Sequence, residues 1–436
     1  MIFAFDFPRK ENDEYYRPYE HSDTYTFNGL IDFDGDYPVF GNAPPSIIEL
    51  LYSYELDYEV VKSSDICKTD KEFYYLLETQ GPPEGWLGTQ DNYKNSLLSG
   101  VSEQILDSTR NKKCKIILWS SNEGYDPFQN KIFDKIYEDL DEFNIPHSQF
   151  IFISGNLIID TLHFTWMKMN GRDSSGIKCI PFNNEIFDFY DKMQPEVKYD
   201  KDSSERDKYF LLLNRMPRIH RMALMSMLHS GKMLENTLTS FPSEKLSPAN
   251  FSKKTHLSEY FSRMMNYSNQ EKSDYLRAWK DLEDNHFPLI VDVDEWDTNH
   301  YGTSVDWLYN RTFFSVVVES IYDDLSVFLD EKIWKPIYNY HPFIMVGCPN
   351  SLKKLREMGF RTFHPHIDES YDTEFNHGKR MNMICHEIKK LCSKSFDELK
   401  LWYKEISPTL EHNRQTLNFD SNSKQKILKQ MLREIQ

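Results

Sequence analysis

Residues 315–341, SVVVESIYDDLSVFLDEKIWKPIYNYH, decide the fold. The stretch opens on an apolar β-branched run, 316–318, that ends on the carboxylate of Glu319. An unbroken apolar run suits a strand buried on both faces, as in a parallel sheet. An acidic loop follows at 321–326. Residues 328–336, FLDEKIWKP, then read as a loop entering a helix, and 342–346 form a second buried run. Strand, charged loop, helix and strand make a βαβ unit, and open α/β sheets bind ligands beyond the carboxyl ends of such strands. The pair Glu331-Lys332 at a helix entrance suits a ribose and a diphosphate. The carboxylate accepts from sugar hydroxyls, while the lysine and the helix N-terminus face the anion. Taken alone, the pair also fits a salt-bridged surface helix start.

The same rhythm extends on both sides. Upstream, 209–214 is an apolar strand and 221–229 a Met-rich helix, the start of a Rossmann-like half; 288–291 reads as a strand ending in acids. Residues 243–285 are polar and poorly periodic. Downstream, the pattern predicts a helix at 351–358, a strand at 361–363, helices near 380–391 and 397–406, and a terminal amphipathic helix over 423–435. Residues 194–208, QPEVKYDKDSSERDK, are charged and turn-rich, which marks a linker. Before it, a first strand at 2–7, a helix at 97–108, a strand at 115–119, a helix at 133–143 and strands at 150–156 and 178–181 predict another parallel sheet. A helix starts near 46–51, residues 81–88 read as a loop, and 73–77 fits strand or helix equally. The segments are therefore 1–200, 208–410 and a helical tail, 411–436.

A chain of 436 residues has material for two cores, and 39% apolar with 15% aromatic content makes it globular. No apolar run reaches the length of a membrane span. The start, MIFAFDF, is too short and too soon acidic for a signal peptide. Six scattered cysteines without a CxxC, three of them (Cys114, Cys179, Cys348) in or beside apolar runs, point to buried free thiols and a cytoplasmic, reducing compartment. The net charge of −17 argues against broad binding to nucleic acid or anionic membranes, though not against a local basic cleft.

Several constellations carry candidate chemistry. Arg215, Arg218 and Arg221 cluster at a strand-to-helix loop, where arginine's fork binds phosphate bidentately; a solvated basic helix start is the plainer reading. Asp292-Val293-Asp294 resembles a DxD, whose carboxylates hold Mg²⁺ or Mn²⁺ on a diphosphate, and equally an acid-rich strand end. Glu123, at a strand tip, has the placement of a general base on an acceptor hydroxyl, with Asp126 the neighbouring alternative and a turn role the plainer one. Trp119, His163 and Trp166 are either acceptor-cleft lining or core. His341, His364 and His366 lack metal-ligand spacing and read as structural or ligand-lining. The glycine-rich dinucleotide fingerprint, the P-loop and GxSxG are absent.

At Glu319 and Glu331-Lys332 the chain resembles nucleotide-sugar-dependent glycosyltransferases of the GT-B architecture, notably the fucosyltransferase-type group and related phage or bacterial enzymes. The resemblance rests on VVVES at 316–320, FLDEKIWKPI at 328–337, HPFI at 341–344, LREMGFRTF at 355–363 and IDESYD at 367–372, and it covers about 208–390. It implies an α/β chain of two Rossmann-like domains facing a cleft, the N-terminal one presenting the acceptor and the C-terminal one binding a GDP- or UDP-sugar. It makes Glu331 the ribose ligand, Lys332 and Arg215 the diphosphate ligands with Arg218 beside them, Glu319 a further donor-pocket carboxylate and Glu123 the general base. It implies an inverting, hexosyl- or fucosyl-type enzyme with no obligatory metal, which weakens the DxD reading. A glycan or other hydroxyl acceptor is expected. Hydroxymethylated bases of phage DNA are an alternative acceptor that the acidic charge disfavours. A non-catalytic nucleotide- or sugar-binding module is the alternative from another class.

Overall fold

The computed structural model describes residues 1–5, 47, 50–51, 54, 56–78, 96–99, 101–121, 123–172, 176–187, 205–242, 255–264, 266–292, 306–417 and 421–436. The chain divides into two compact units. The first comprises Met1–Asn184, Asp324–Phe328 and Asp420–Gln436, the second Glu185–Asp323 and Leu329–Phe419.

The first unit carries β1 (Ile2–Phe5), β2 (Glu59–Lys62), α1 (Ser63–Ile66), β3 (Phe73–Glu78), α2 (Glu103–Arg110), β4 (Cys114–Ser120), α3 (Ile132–Glu142), β5 (Phe150–Ser154), α4 (Ile159–Met169) and β6 (Lys178–Pro181). Its six strands are all parallel in the order β2-β1-β3-β4-β5-β6. β4 and β5 are apolar along almost their whole length because helices cover both faces of a parallel sheet, so alternation has no solvent side to mark. Phe133, Ile136 and Tyr137 of α3 pack with Leu162 and Trp166 of α4 in the core.

The second unit carries β7 (Lys208–Leu213), α5 (Ile219–Ser230), β8 (Leu238–Ser240), α6 (Thr255–Arg263), α7 (Asn269–Asn285), α8 (Asp306–Arg311), β9 (Thr312–Val318), α9 (Glu331–Tyr338), β10 (Phe343–Val346), α10 (Ser351–Glu357), α11 (His377–Cys392) and α12 (Phe396–Leu417). Its parallel order is β10-β9-β7-β8, with Phe210 opposite Phe314 and Val318 opposite Val346. From β7 the chain moves one way to β8, then returns to place β9 on the other flank of β7. The direction of winding therefore reverses between β7 and β9.

Several expectations need correcting. Residues 288–291 do not form a strand: Leu289 makes one isolated antiparallel bridge to Phe241, and Pro288 has no N–H to extend it. Residues 361–363 form no strand either. Asn413 takes the place of a neighbouring strand, accepting from the Arg361 N–H at 2.7 Å and donating to its carbonyl at 2.8 Å. The polar stretch 243–285 holds α6 and α7, the latter opened by a capping box of Ser268 and Glu271. The helix expected from Leu97 starts at Glu103. The tail is not a segment apart: α12 runs through residue 411 to Leu417, and α13 (Ser421–Ile435) belongs to the first unit, where the Lys424 ammonium donates to the Tyr54 hydroxyl at 2.8 Å. The first strand is described only to Phe5. The helix start near 46–51, the loop at 81–88 and the linker at 194–208 lie mostly outside the described residues.

All six cysteines are free thiols, and burial pushes Cys114, Cys385 and Cys392 up to about 12. No helix among the described residues is long and apolar enough to cross a membrane.

Candidate functional site

In the second unit, the winding reverses between β7 and β9, and in open α/β sheets the crevice beyond the carboxyl ends at such a point is where ligands are held. β7 delivers Asn214 and Arg215 there, β9 delivers Glu319 and Ser320, and α5 and α9 begin there. Both helices start at this end of the sheet, so the positive ends of their dipoles lie there.

The loop after β9 is gripped by the first turn of α5. Arg218 donates to the Ser320 carbonyl at 2.7 Å, His220 Nε2 lies 3.1 Å from the Glu319 carbonyl, and Arg221 donates to the Val318 carbonyl at 3.1 Å. Arg221 is buried; burial first, and the Arg218 charge next, lower its guanidinium to about 10. Burial, with the neighbouring Arg221, holds His220 well below its ordinary value and therefore neutral. Its ring stacks on Tyr322 at 5.5 Å, and Arg380 covers the Tyr322 ring at 4.2 Å. Three layers of side chains thus pin the backbone that presents Glu319.

Lys332 is the hub of the acidic cluster above this backbone. Its ammonium donates to Asp330 at 2.5 Å, to Glu331 at 3.0 Å and to the Ser320 hydroxyl at 3.4 Å. Asp330 caps α9 by accepting from the Lys332 N–H at 3.0 Å. Burial pulls the lysine down, but Asp330 and Glu331 more than reverse this and hold it charged. Burial likewise opposes ionisation of Asp330, yet Lys332 wins and keeps it below the usual carboxylate range. Glu319 is 2% exposed, and among the described residues no N–H or hydroxyl donates to its carboxylate. Burial first, and the Asp330 charge next, push it well above its ordinary value. Gly347 leaves room beside it: a Cβ there would lie 3.3 Å from Glu319 Cγ.

The crevice also holds residues that charge patterns alone do not reveal. Asn214 is 1% exposed, and neither its side-chain oxygen nor its nitrogen has a hydrogen-bond partner among the described residues. Lys335, one turn beyond Glu331, is lowered by burial, then by Lys332 and Arg215, with Glu331 opposing. The signal for Asn214 was its place, the first polar residue after LLL; the signal for Asp330 was an N-cap residue type before a helix.

The structure therefore brings Glu319, Glu331 and Lys332 together, with Arg218 on the same loop through Ser320. Arg215 lies 3.5 Å from Asp292, which also accepts from the Ser240 hydroxyl at 2.6 Å. Asp292 is thus held in an ion pair, and its DxD companion Asp294 lies outside the described residues. In the first unit, Glu123 is half-buried in the loop after β4. Asp126 is a clamp: it accepts from the Phe128 and Gln129 N–H groups at 2.8 and 3.1 Å and from Leu325 N–H at 2.7 Å. Trp119, His163 and Trp166 are core, not cleft lining; Trp119 is fully buried, and His163 lies 2.9 Å from the Tyr137 hydroxyl. His341 is a buried brace between the Ser315 hydroxyl at 2.8 Å and the Thr312 carbonyl at 2.8 Å.

The segment 324–328 lies against this loop within the first unit. Asn156 accepts from Val327 N–H and donates to the Leu325 carbonyl, both at 3.2 Å, and Leu157 N–H donates to the Val327 carbonyl at 2.8 Å. Gly124 and Gly155 make the bed for Phe328, since a Cβ on either would meet its side chain. Compared with known proteins, the chain matches no family model and no curated protein.

Proposed function

We propose that the chain is a nucleotide-sugar-dependent glycosyltransferase of the GT-B architecture, with the β7–β9 crevice as its donor site. One observation carries this reading: a carboxylate and ammonium pair, Glu331 and Lys332, stands at the N-terminus of α9, Lys332 and Arg218 both reach Ser320 after β9, and Arg215 follows β7, the strand beside which the winding reverses. That combination offers acceptors for sugar hydroxyls and cations for a diphosphate within one crevice. In the reaction, the acceptor oxygen bonds to the anomeric carbon and the bond from that carbon to the diphosphate breaks. The diphosphate leaves with the electron pair, and Glu123 takes the acceptor proton. Arg215 and the helix N-termini stabilise the departing charge, while Lys332, already committed to Asp330 and Glu331, sets the field around it.

Calorimetric titration with GDP, UDP and ADP tests the donor site. One nucleotide is expected to bind, and Arg215→Ala to weaken it by about 10–100-fold, the worth of one charge-assisted hydrogen bond. If none of the three binds, the reading fails. Slow release of free sugar from the matching nucleotide sugar, lost in Glu123→Gln, separates an enzyme from a binding module.

A further inference from the structure

We propose that His229, Asp281 and His286 form a binding site for a divalent transition metal, with zinc as the leading occupant, at the joined ends of α5 and α7. Among the described residues, one ligand atom from each of these three side chains lies within 4.8 Å of the other two. His229 sits in the last turn of α5, Asp281 one turn before the end of α7, and His286 directly after that helix. The site is separate from the β7–β9 crevice, because about 14 Å of helix divides His229 from His220.

The donor set and its spacing both point to a transition metal. Two imidazoles with one carboxylate suit zinc and its neighbours, whereas magnesium and calcium take oxygen ligands. Zinc bonds of about 2.0–2.1 Å in a tetrahedron put neighbouring ligand atoms about 3.4 Å apart. The separations from Asp281 Oδ2 are 2.7 Å to His229 Nε2 and 3.5 Å to His286 Nε2, so small side-chain movements centre an ion. The two rings already meet edge to face at 5.1 Å. Asn285 donates to the other Asp281 oxygen, Oδ1, at 2.7 Å, which turns Oδ2 toward the histidines, as an outer partner does for a liganding carboxylate. Two helices also end here, and the partial negative charge of their last carbonyls favours a cation. Three protein ligands leave a fourth position for water or an exogenous group. His286 and Asp281 reach solvent, so an ion has a path in.

The full chain, stripped with EDTA and dialysed, is titrated with Zn²⁺ by calorimetry and with Co²⁺ by visible absorption. One saturating equivalent is expected, with a melting temperature that rises with free zinc. His286→Ala, at an exposed position, and Asp281→Asn, at a half-buried one, are each expected to weaken binding by at least about 10-fold, the lower end of what loss of an outer partner costs. Circular dichroism confirms that the variants fold. No saturable equivalent in the wild-type chain, or unchanged affinity in both variants, overturns the site.

Discussion

Lys332 shows how a residue legible as functional turns out to hold its surroundings together. Its charge and its place before a helix were visible in the sequence; that Asp330 takes its shortest contact was not, because pairing depends on rotamers that spacing leaves open. Lys332→Met strands two carboxylates at a half-buried site, with a cost of about 3–5 kcal/mol expected for breaking a buried pair from one side. Urea denaturation measures it, and a loss below about 1 kcal/mol would show that the hub is dispensable. His163 gives a pH prediction. Burial lowers it from 6.5 to about 4, so the fold favours the neutral ring. Its contribution is fully present above pH 6.5 and is lost as pH falls through about 4, because the unfolded chain then binds a proton that the folded one resists. His163→Gln, which has no such proton to bind, is expected to flatten the fall in unfolding midpoint between pH 6.5 and pH 4; an unchanged slope would place the acid sensitivity elsewhere.

At the scale of elements, strands were the readable part and their substitutes were not. β4, β5, β7 and β9 announced themselves as apolar runs because each is covered on both faces. Residues 361–363 had strand-forming side chains, but backbone pairing there comes from one amide side chain 52 residues away, and no local pattern encodes that. Asn413→Ala removes both bonds and is expected to cost about 1–3 kcal/mol, read from the thermal midpoint. α7 went unread although Ser268 and Glu271 spell its start, because its exposed face dilutes the apolar period. Gly155 is tightly confined: a Cβ there would lie 2.5 and 2.7 Å from the Ser121 and Glu123 carbonyl oxygens. Backbone cannot yield as a flexible side chain does, so Gly155→Ala is expected to destabilise the first unit by about 1–3 kcal/mol. A variant as stable as wild type would show that the loop after β4 moves freely, and with it Glu123.

For the molecule as a whole, length pointed to two cores and the alternation of strands and helices to parallel sheets, and two parallel sheets are present. The division of labour proposed for them rests on resemblance alone, since strand runs carry no substrate chemistry. A net charge of −17 also bears on what the chain avoids. Duplex DNA is expected to show no mobility shift even at low salt, where a basic groove would bind most tightly; a salt-sensitive shift would revive a nucleic-acid acceptor. The segment 324–328 has one more consequence, for how such a chain can be rearranged. The backbone passes from one unit to the other after residues 184, 323, 328 and 419. No single splice point therefore separates two complete modules. A graft of the second unit carries a short piece of the first in its middle and leaves behind a bed shaped for Phe328. Exchange of halves with another chain of this kind therefore requires that piece and its glycine bed to change together.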